Sequence, residues 1–302
     1  MTKNMKSNQL VSIIMTCHNG ERFLNESIKS IINQTYSNWE LIFIDNFSKD
    51  KSEDIIKSFE DERIKYFKTE HLFNLGTVRQ LAYNKCKGNL ICFLDVDDYW
   101  SELKLEKQII KFESNPKIEV LYTNFYRVTN NEIKNNVMNF YSGFLLNKII
   151  KSYIDGSPLT PWLTLMIKKT SIEKLDYAFD KKTHISSDFD LIIRLANFCY
   201  FDFIDESLAY YRIHEANESK NNDKEINDLV YIVYKFQKNI NINKLFFYKN
   251  FAFKVYFKYL ILNKIVSKKL KPTFILKNLS TIFIYFLIKI TPRKLIKKFY
   301  KL

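Results

Sequence analysis

The sequence predicts an α/β fold with a mostly parallel sheet, on three observations. Short apolar runs alternate with amphipathic stretches through the first half of the chain, the pattern of βαβ units. Several of these runs end in polar or acidic residues, at Thr16 to Asn19, at Asp45 and at Asp95 to Asp98, as strands do where they leave a sheet. With 302 residues there is enough chain to bury a full core and carry an appendage.

The elements follow in order. Residues 11–16 read as a strand, and 21–33 as a helix with Phe23, Leu24, Ile28, Ile31 and Ile32 on one face. Residues 40–45 form a second strand, 51–59 a helix, 64–68 a strand and 77–86 a helix. The run 90–94 follows Gly88-Asn89 and reads as a buried strand. A helix at 101–113 has Ser101 as its cap. The second half is less regular: a strand at 118–125, a helix at 144–153, a loop at 155–158, a strand at 163–168, a helix at 188–198 and an extended run at 207–214. The polar stretch 215–223 reads as a linker. Residues 1–222 are therefore expected to form one domain and 223–302 a separate helical region.

Charge supports that division. The formal net charge is +14, yet residues 229–302 hold 17 lysines and arginines and no acid, which leaves 30 basic and 33 acidic residues elsewhere. An acid-free helical region rich in Lys, Phe and Tyr suits an anionic membrane face; packing on the first domain or dimerisation would use the same composition. The apolar tract 282–288 is flanked by Lys277 and Lys289, and a spanning helix needs about 20 apolar residues. Cys17, Cys86, Cys92 and Cys199 show no CxxC spacing, which fits a reducing cytosol. Residues 1–9 are polar and lack the apolar core of a signal peptide. The expected location is the cytoplasm, with peripheral contact on the inner face of the membrane if the basic region binds lipid.

Candidate chemistry centres on Leu94-Asp95-Val96-Asp97-Asp98-Tyr99-Trp100. Three carboxylates close a buried strand, where open α/β sheets bind ligands. Ionised carboxylates this close repel one another. A hard divalent cation, Mg²⁺ or Mn²⁺, would relieve that and bridge to phosphate oxygens; a solvated acidic turn is the other reading. Thr16-Cys17-His18-Asn19 can receive a nucleotide base, with His18 as a stacking face, or Asn19 caps the next helix. Asp45 can accept from a base N–H or a ribose hydroxyl, or serve as a turn residue. In Asn74-Leu75-Gly76-Thr77-Val78-Arg79-Gln80, Gly76 permits a close approach and Arg79 can pair with an acid or a phosphate. Asp188, after Ser186-Ser187, is either an acid favoured at a helix start or a general base. His214 ends Tyr210-Tyr211-Arg212-Ile213-His214 and can ligate metal through a neutral ring nitrogen. Tyr99, Trp100 and Trp162 can stack on an acceptor sugar or fill the core.

Taken together and in this order, the segments resemble glycosyltransferase family 2 over roughly residues 10–219. The resemblance implies the GT-A fold, a Rossmann-like sheet flanked by helices, followed here by the basic extension. It implies an inverting transfer of sugar from a nucleotide-diphosphate sugar, a UDP-sugar, to a hydroxyl of a glycan or lipid-linked acceptor in cell-surface glycan synthesis. It places Thr16, His18, Asn19, Asp45, Gly76, Arg79 and Asp95 around the donor, with Asp95, Asp97 and His214 on Mn²⁺ or Mg²⁺. Asp98 supports them and Asp188 is the base.

The chain departs from the family pattern at Thr16-Cys17-His18-Asn19 for Pro-x-Tyr-Asn, at Asp45-Asn46 for Asp-Asp and at Ser187-Asp188 for Glu-Asp. Loss of the neighbouring acid is expected to lower the pKa of Asp188 and weaken it as a base. Two rivals come from other classes. A sugar nucleotidyltransferase would carry a Gly-rich loop where this chain has Thr16 to Glu21. A nucleic-acid binder would account for the charge but not for the acids, so no nucleic-acid partner is expected.

Overall fold

A computed structural model describes residues 8–235, apart from 130–131, 137, 155–158, 216, 218–223, 226, 230 and 233–234. The predicted loop at 155–158, most of the predicted linker and the tract 282–288 lie outside the described residues. The chain divides into two compact units, Met1–Asn221 and Asn222–Leu302. In the second, the described residues between 224 and 235 are helical.

In the first unit, apolar runs supply the central strands: β1 (Val11–Cys17), β2 (Trp39–Asp45) and β4 (Leu90–Phe93). They are buried almost throughout, as strands covered on both faces must be. Between them come α1 (Glu21–Ile32), α2 (Ser52–Lys57), β3 (Ile64–Lys68) and α3 (Leu75–Tyr83). Leu24, Ile28 and Ile31 of α1 are fully buried against this sheet, and burial of each contributes about 1.5–3 kcal/mol. Next come β5 (Tyr99–Trp100), α4 (Lys104–Ser114), β6 (Val120–Thr129), β7 (Glu132–Asn135) and α5 (Leu146–Ile154). The unit closes with β8 (Met166–Lys168), the short α6 (Lys169–Ile172), α7 (Ser187–Leu195) and β9 (Phe201–Arg212).

The described strands form one nine-stranded sheet of order β3-β2-β1-β4-β8-β6-β9-β5, with β7 paired to β6. β3, β2, β1 and β4 run parallel, with Cys17 in register with Asp45 and Ile14 with Phe93. The chain winds outward from β1 to β3, then returns to place β4 on the other side of β1. Winding reverses between β1 and β4, and open sheets of this kind bind ligands at such a point.

Several expectations shift. The helix placed at 101–113 starts at Lys104, and Ser101 caps nothing with its hydroxyl; its carbonyl accepts from Lys104 N at 3.1 Å and Gln34 Nε2 at 2.7 Å. The strand placed at 163–168 is a 3-10 turn, Trp162–Thr164, followed by β8; the Thr164 hydroxyl and N–H both bond Pro161 O and fold the chain there. β9 starts earlier than the extended run predicted at 207–214, because Asp202, Asp205 and Glu206 hide its alternation. β5 and β7 carry too little apolar signal to be read from sequence.

The core encloses a lysine. Lys104 is fully buried, with Nζ donating to Gln108 Oε1 at 2.7 Å and lying 4.0 Å from the Trp100 ring centroid. Burial pulls its pKa down to about 8. The unfolded chain therefore holds this proton to higher pH, so the lysine's penalty is full at neutral pH and fades as pH rises above 8. Urea unfolding of wild type and Lys104→Met at pH 7 and pH 9.5 checks this. Relative to the variant, wild type should gain about 2 kcal/mol between the two conditions.

Candidate active site

The acids after β4 occupy three different environments. Asp95 is half-exposed, and its Oδ1 accepts from Arg79 Nη2 at 3.1 Å. Oδ2 of Asp97 lies 3.0 Å from His214 Nε2 and accepts from Asn217 Nδ2 at 3.2 Å. Burial and the Asp95 charge raise the pKa of Asp97, against a lowering hydrogen bond from His214. Asp98 is buried, and its Oδ1 accepts from Arg212 N at 2.9 Å. Burial, then the Asp97 and Asp95 charges, push its pKa well up. Ser27 of α1 donates to Val96 O and Asp98 O, which fixes the loop from the helix side. Arg212 adds Nη1 to Asp97 O at 2.8 Å, pairs with Glu26 and lies between the rings of Phe23 and Tyr99.

Among the described residues, no three His, Cys, Asp or Glu side chains form a metal-holding group. Of the expected set Asp95, Asp97 and His214, Asp95 faces Arg79 while Asp97 and His214 lie side by side. Mg²⁺ usually binds through one or two carboxylates plus phosphate oxygens, so Asp97 is the group that would hold it, with the His214 ring beside it at 3.0 Å in a hydrogen bond that a bound cation would replace. Asn217 was missed in the sequence. Its Oδ1 accepts from His214 N at 2.6 Å and its Nδ2 also bonds Arg212 O at 3.1 Å. An Asn three residues after a His at a strand exit was the available signal.

At the ends of β1 and β2 the two loops are locked together. Thr16 sits in β1 opposite Ile44. His18 Nδ1 lies 3.0 Å from Asn46 O, and the exposed ring remains open to stacking. Asn19 does not cap α1, whose N-cap is Gly20; its Oδ1 accepts from Lys49 N at 2.8 Å and its N–H bonds Ser48 Oγ at 3.0 Å. Asp45 departs from the expectation of an available acceptor. It is wholly buried, accepting from Ser48 N at 2.7 Å and Tyr66 Oη at 3.2 Å. Its carboxylate shapes the 46–49 loop from below. Asn46, where the family pattern has Asp, donates Nδ2 to Phe73 O at 2.8 Å and accepts from Phe73 N at 3.0 Å. A carboxylate has no donor for the first of these bonds.

α3 links the donor side to α7. Asn74 caps it, accepting from Thr77 N at 2.9 Å, and bonds Lys181 O at 2.9 Å. A Cβ on Gly76 would collide with Asp180 O and Thr183 Oγ1. Gly76 therefore serves a protein–protein approach, where a ligand contact was expected. Arg79 is 4 % exposed, with Nη1 on Ser187 Oγ at 2.9 Å, Nη2 on Asp95 and its guanidinium carbon 4.6 Å from the Trp162 ring centroid. Both terminal nitrogens are bonded to protein, so it reaches the site through Asp95 and Ser187. Asp188 is the second residue of α7, and neither Ser186 nor Ser187 caps that helix by side chain. Burial raises the pKa of Asp188, offset by Arg79, with Asp95 adding to the rise. The expected lowering is relative to a site with an acidic neighbour; relative to a free carboxyl, burial sets the direction upward. A raised pKa makes Asp188 a stronger base once ionised. Of the aromatic acceptor candidates, Trp162 is stacked on Phe93 at 3.8 Å and Trp100 donates Nε1 to Leu163 O at 2.8 Å, both in the core. Tyr99 is half-exposed and stacks on Tyr210 at 4.4 Å.

The chain is similar to known glycosyltransferases in sequence and in fold. The family described as Glycosyl transferase family 2 matches residues 12–189. An uncharacterized glycosyltransferase of Methanocaldococcus jannaschii is 34% identical over 90% of this chain and 93% of its own length. The Escherichia coli UDP-Glc:alpha-D-GlcNAc-diphosphoundecaprenol beta-1,3-glucosyltransferase WfgD is 34% identical over 57% of this chain and 66% of its own. The crystal structure of S. aureus TarS 1-349 in complex with UDP superposes with a TM-score of 0.63 at 17% identity, over 80% of this chain and 69% of that one. The fold is GT-A.

The 46–49 loop carries strain. Phe47 has φ 65, a left-handed conformation, with Lys49 Nζ 3.6 Å from its ring centroid. That conformation costs a residue with a Cβ about 1–2 kcal/mol and glycine little. Phe47→Gly should raise the unfolding free energy by about 1 kcal/mol, read by urea titration. A fall would show that the ring's contacts outweigh the backbone strain.

Proposed function

The chain belongs to glycosyltransferase family 2, and on that footing we propose that it inverts the anomeric centre while moving a sugar from a UDP-sugar to a hydroxyl of a lipid-linked glycan. One observation carries the reading: Arg79 joins the acidic loop after β4 to Ser187, the residue before Asp188. The named activity of the Escherichia coli relative, from UDP-Glc to a diphosphoundecaprenol-linked sugar, supports the donor and acceptor classes.

His18 stacks on the nucleoside base, and Thr16, Asn19 and the loop shaped by Asp45 border it. Asp95 receives a ribose hydroxyl. Asp97 and His214 would hold Mg²⁺ or Mn²⁺, whose charge neutralises the departing diphosphate. Asp188 accepts the proton of the acceptor hydroxyl as that oxygen bonds to the anomeric carbon. The carbon–oxygen bond to the diphosphate breaks on the opposite face and its electron pair leaves with the nucleoside diphosphate, so configuration inverts. Because burial raises the pKa of Asp188, turnover climbs as pH rises through that pKa and is lost below it.

The acid-free region 229–302 would hold the enzyme against an anionic membrane, where its acceptor lies. Each Lys or Arg near such a surface contributes about 1 kcal/mol. No helix among the described residues is long and apolar enough to cross a membrane.

A screen of UDP-, GDP- and dTDP-sugars with Mn²⁺, scored by nucleotide release, tests the donor class without knowledge of the acceptor. With the active donor, Asp188→Asn should retain UDP affinity and lose turnover by about 10²–10⁴-fold; near wild-type turnover would remove Asp188 as the base. Deleting residues 229–302 should abolish co-sedimentation with anionic liposomes, and persistent binding would place the anchor elsewhere.

A further inference from the structure

Lys104, Phe47 and Arg79 are each held in an energetically costly setting, by burial or by backbone conformation. The first two are confined to one neighbourhood each. Arg79 connects two. Its Nη2 donates to Asp95 Oδ1 at 3.1 Å, and its Nη1 donates to Ser187 Oγ at 2.9 Å. The guanidinium carbon lies 4.6 Å from the centroid of Trp162, whose ring is stacked on Phe93 of β4. The side chain is 4 % exposed, too deep for a freely accessible ligand contact. A planar fork with separate nitrogens for separate acceptors suits this position, and lysine offers neither the plane nor the fork.

Each partner carries a different part of the reaction. Asp95 stands at the donor end, just beyond β4. Ser187 is the first residue of α7 and is fully buried, so its hydroxyl fixes the helix start by an internal bond. Asp188 follows it directly. The same arginine is carried on α3, whose first turn is fastened to the segment before α7 by Leu75 N to His184 O at 3.0 Å and Gly76 N to Thr183 O at 3.2 Å. Gln80, the next residue, accepts from Phe179 N at 2.8 Å. α3 therefore grips the approach to α7 at several points, and Arg79 extends that grip to the acidic loop.

We propose that Arg79 is a positioning residue: without contacting the donor, it holds Asp95 and the start of α7 in one frame, so that the base meets the acceptor hydroxyl at the anomeric carbon. The proposal rests on the assignment of Asp188 as the base. It also gives Ser187 a role. Where the family pattern has an acid, a hydroxyl accepts from Arg79 without adding a second carboxylate beside Asp188.

The test separates positioning from folding. Ser187→Ala removes one acceptor and leaves Arg79 and Asp95 in place. With the donor found by the nucleotide-sugar screen, Ser187→Ala should lower kcat about tenfold, leave the donor KM and UDP affinity within about twofold, and keep a cooperative unfolding transition. Ser187→Thr, which retains the hydroxyl, should keep most of the wild-type rate, while Arg79→Lys, which loses the fork, should fall about as far as Ser187→Ala. A Ser187→Ala enzyme with wild-type kcat overturns the proposal, as does a loss of rate matched by an equal loss of UDP affinity. If wild type releases nucleotide from no sugar donor and binds no UDP, the assignment of function fails instead. The link is then read from urea midpoints of Asp95→Asn, Ser187→Ala and the double variant. A double shift smaller than the sum of the single shifts supports the link through Arg79, and additive shifts refute it.

Discussion

Mutual repulsion among three carboxylates within four residues is the constraint around which this site is built. Asp95, Asp97 and Asp98 cannot share one environment without large penalties. The chain gives each a separate partner from a distant segment: Arg79 for Asp95, His214 and Asn217 for Asp97, and the Arg212 N–H for Asp98. Those partners lie on α3 and at the end of β9, so satisfying the acids also draws those two elements to the end of β4. The active-site loop is in this sense a fastening as much as a binding surface.

This arrangement divides the acids by function. The buried Asp98 is committed to structure, and its raised pKa reflects the cost of enclosing it. Asp97 is paired with the His214 imidazole and the Asn217 amide. Asp95 is the most accessible of the three and is the one joined, through Arg79, to the helix bearing Asp188. In the proposed reading, donor and base are thereby tied to a single support, which matters because a misplacement of about 1 Å can cost around a hundredfold in rate.

Much of this was legible in the sequence, for physical reasons. β1, β2 and β4 are continuous apolar runs, so they were readable within one residue at each end. Asp45, the acids after β4 and Asp188 stand at strand or helix ends, where the pattern changes sharply. β5 was not legible, since two residues have no period, nor was β7, whose residues are all exposed. Side-chain partners were harder still. Asn19 had the composition of a cap, yet it binds the 46–49 loop, thirty residues away in sequence. Gly76 and Arg79 suggested ligand contacts because the residues that occupy them, Thr183 and Ser187, lie more than a hundred positions downstream. Trp162 was a plausible sugar platform until the sheet placed Phe93 beneath it. Local signals locate strand ends, whereas the choice between structural and binding roles is made by chain far away.

Asn46 shows how such long-range commitments constrain substitution at a single position. Its amide gives and takes one bond with the backbone of Phe73, acting as a small piece of strand between β2 and the approach to α3. Restoring the family's acid would turn a donor into an acceptor opposite a carbonyl and bring a second carboxylate next to the buried Asp45. An aspartate at this position would therefore work against both the Phe73 carbonyl and Asp45 unless the segment around Phe73 shifted with it. Redesign toward the family pattern would have to change both segments together.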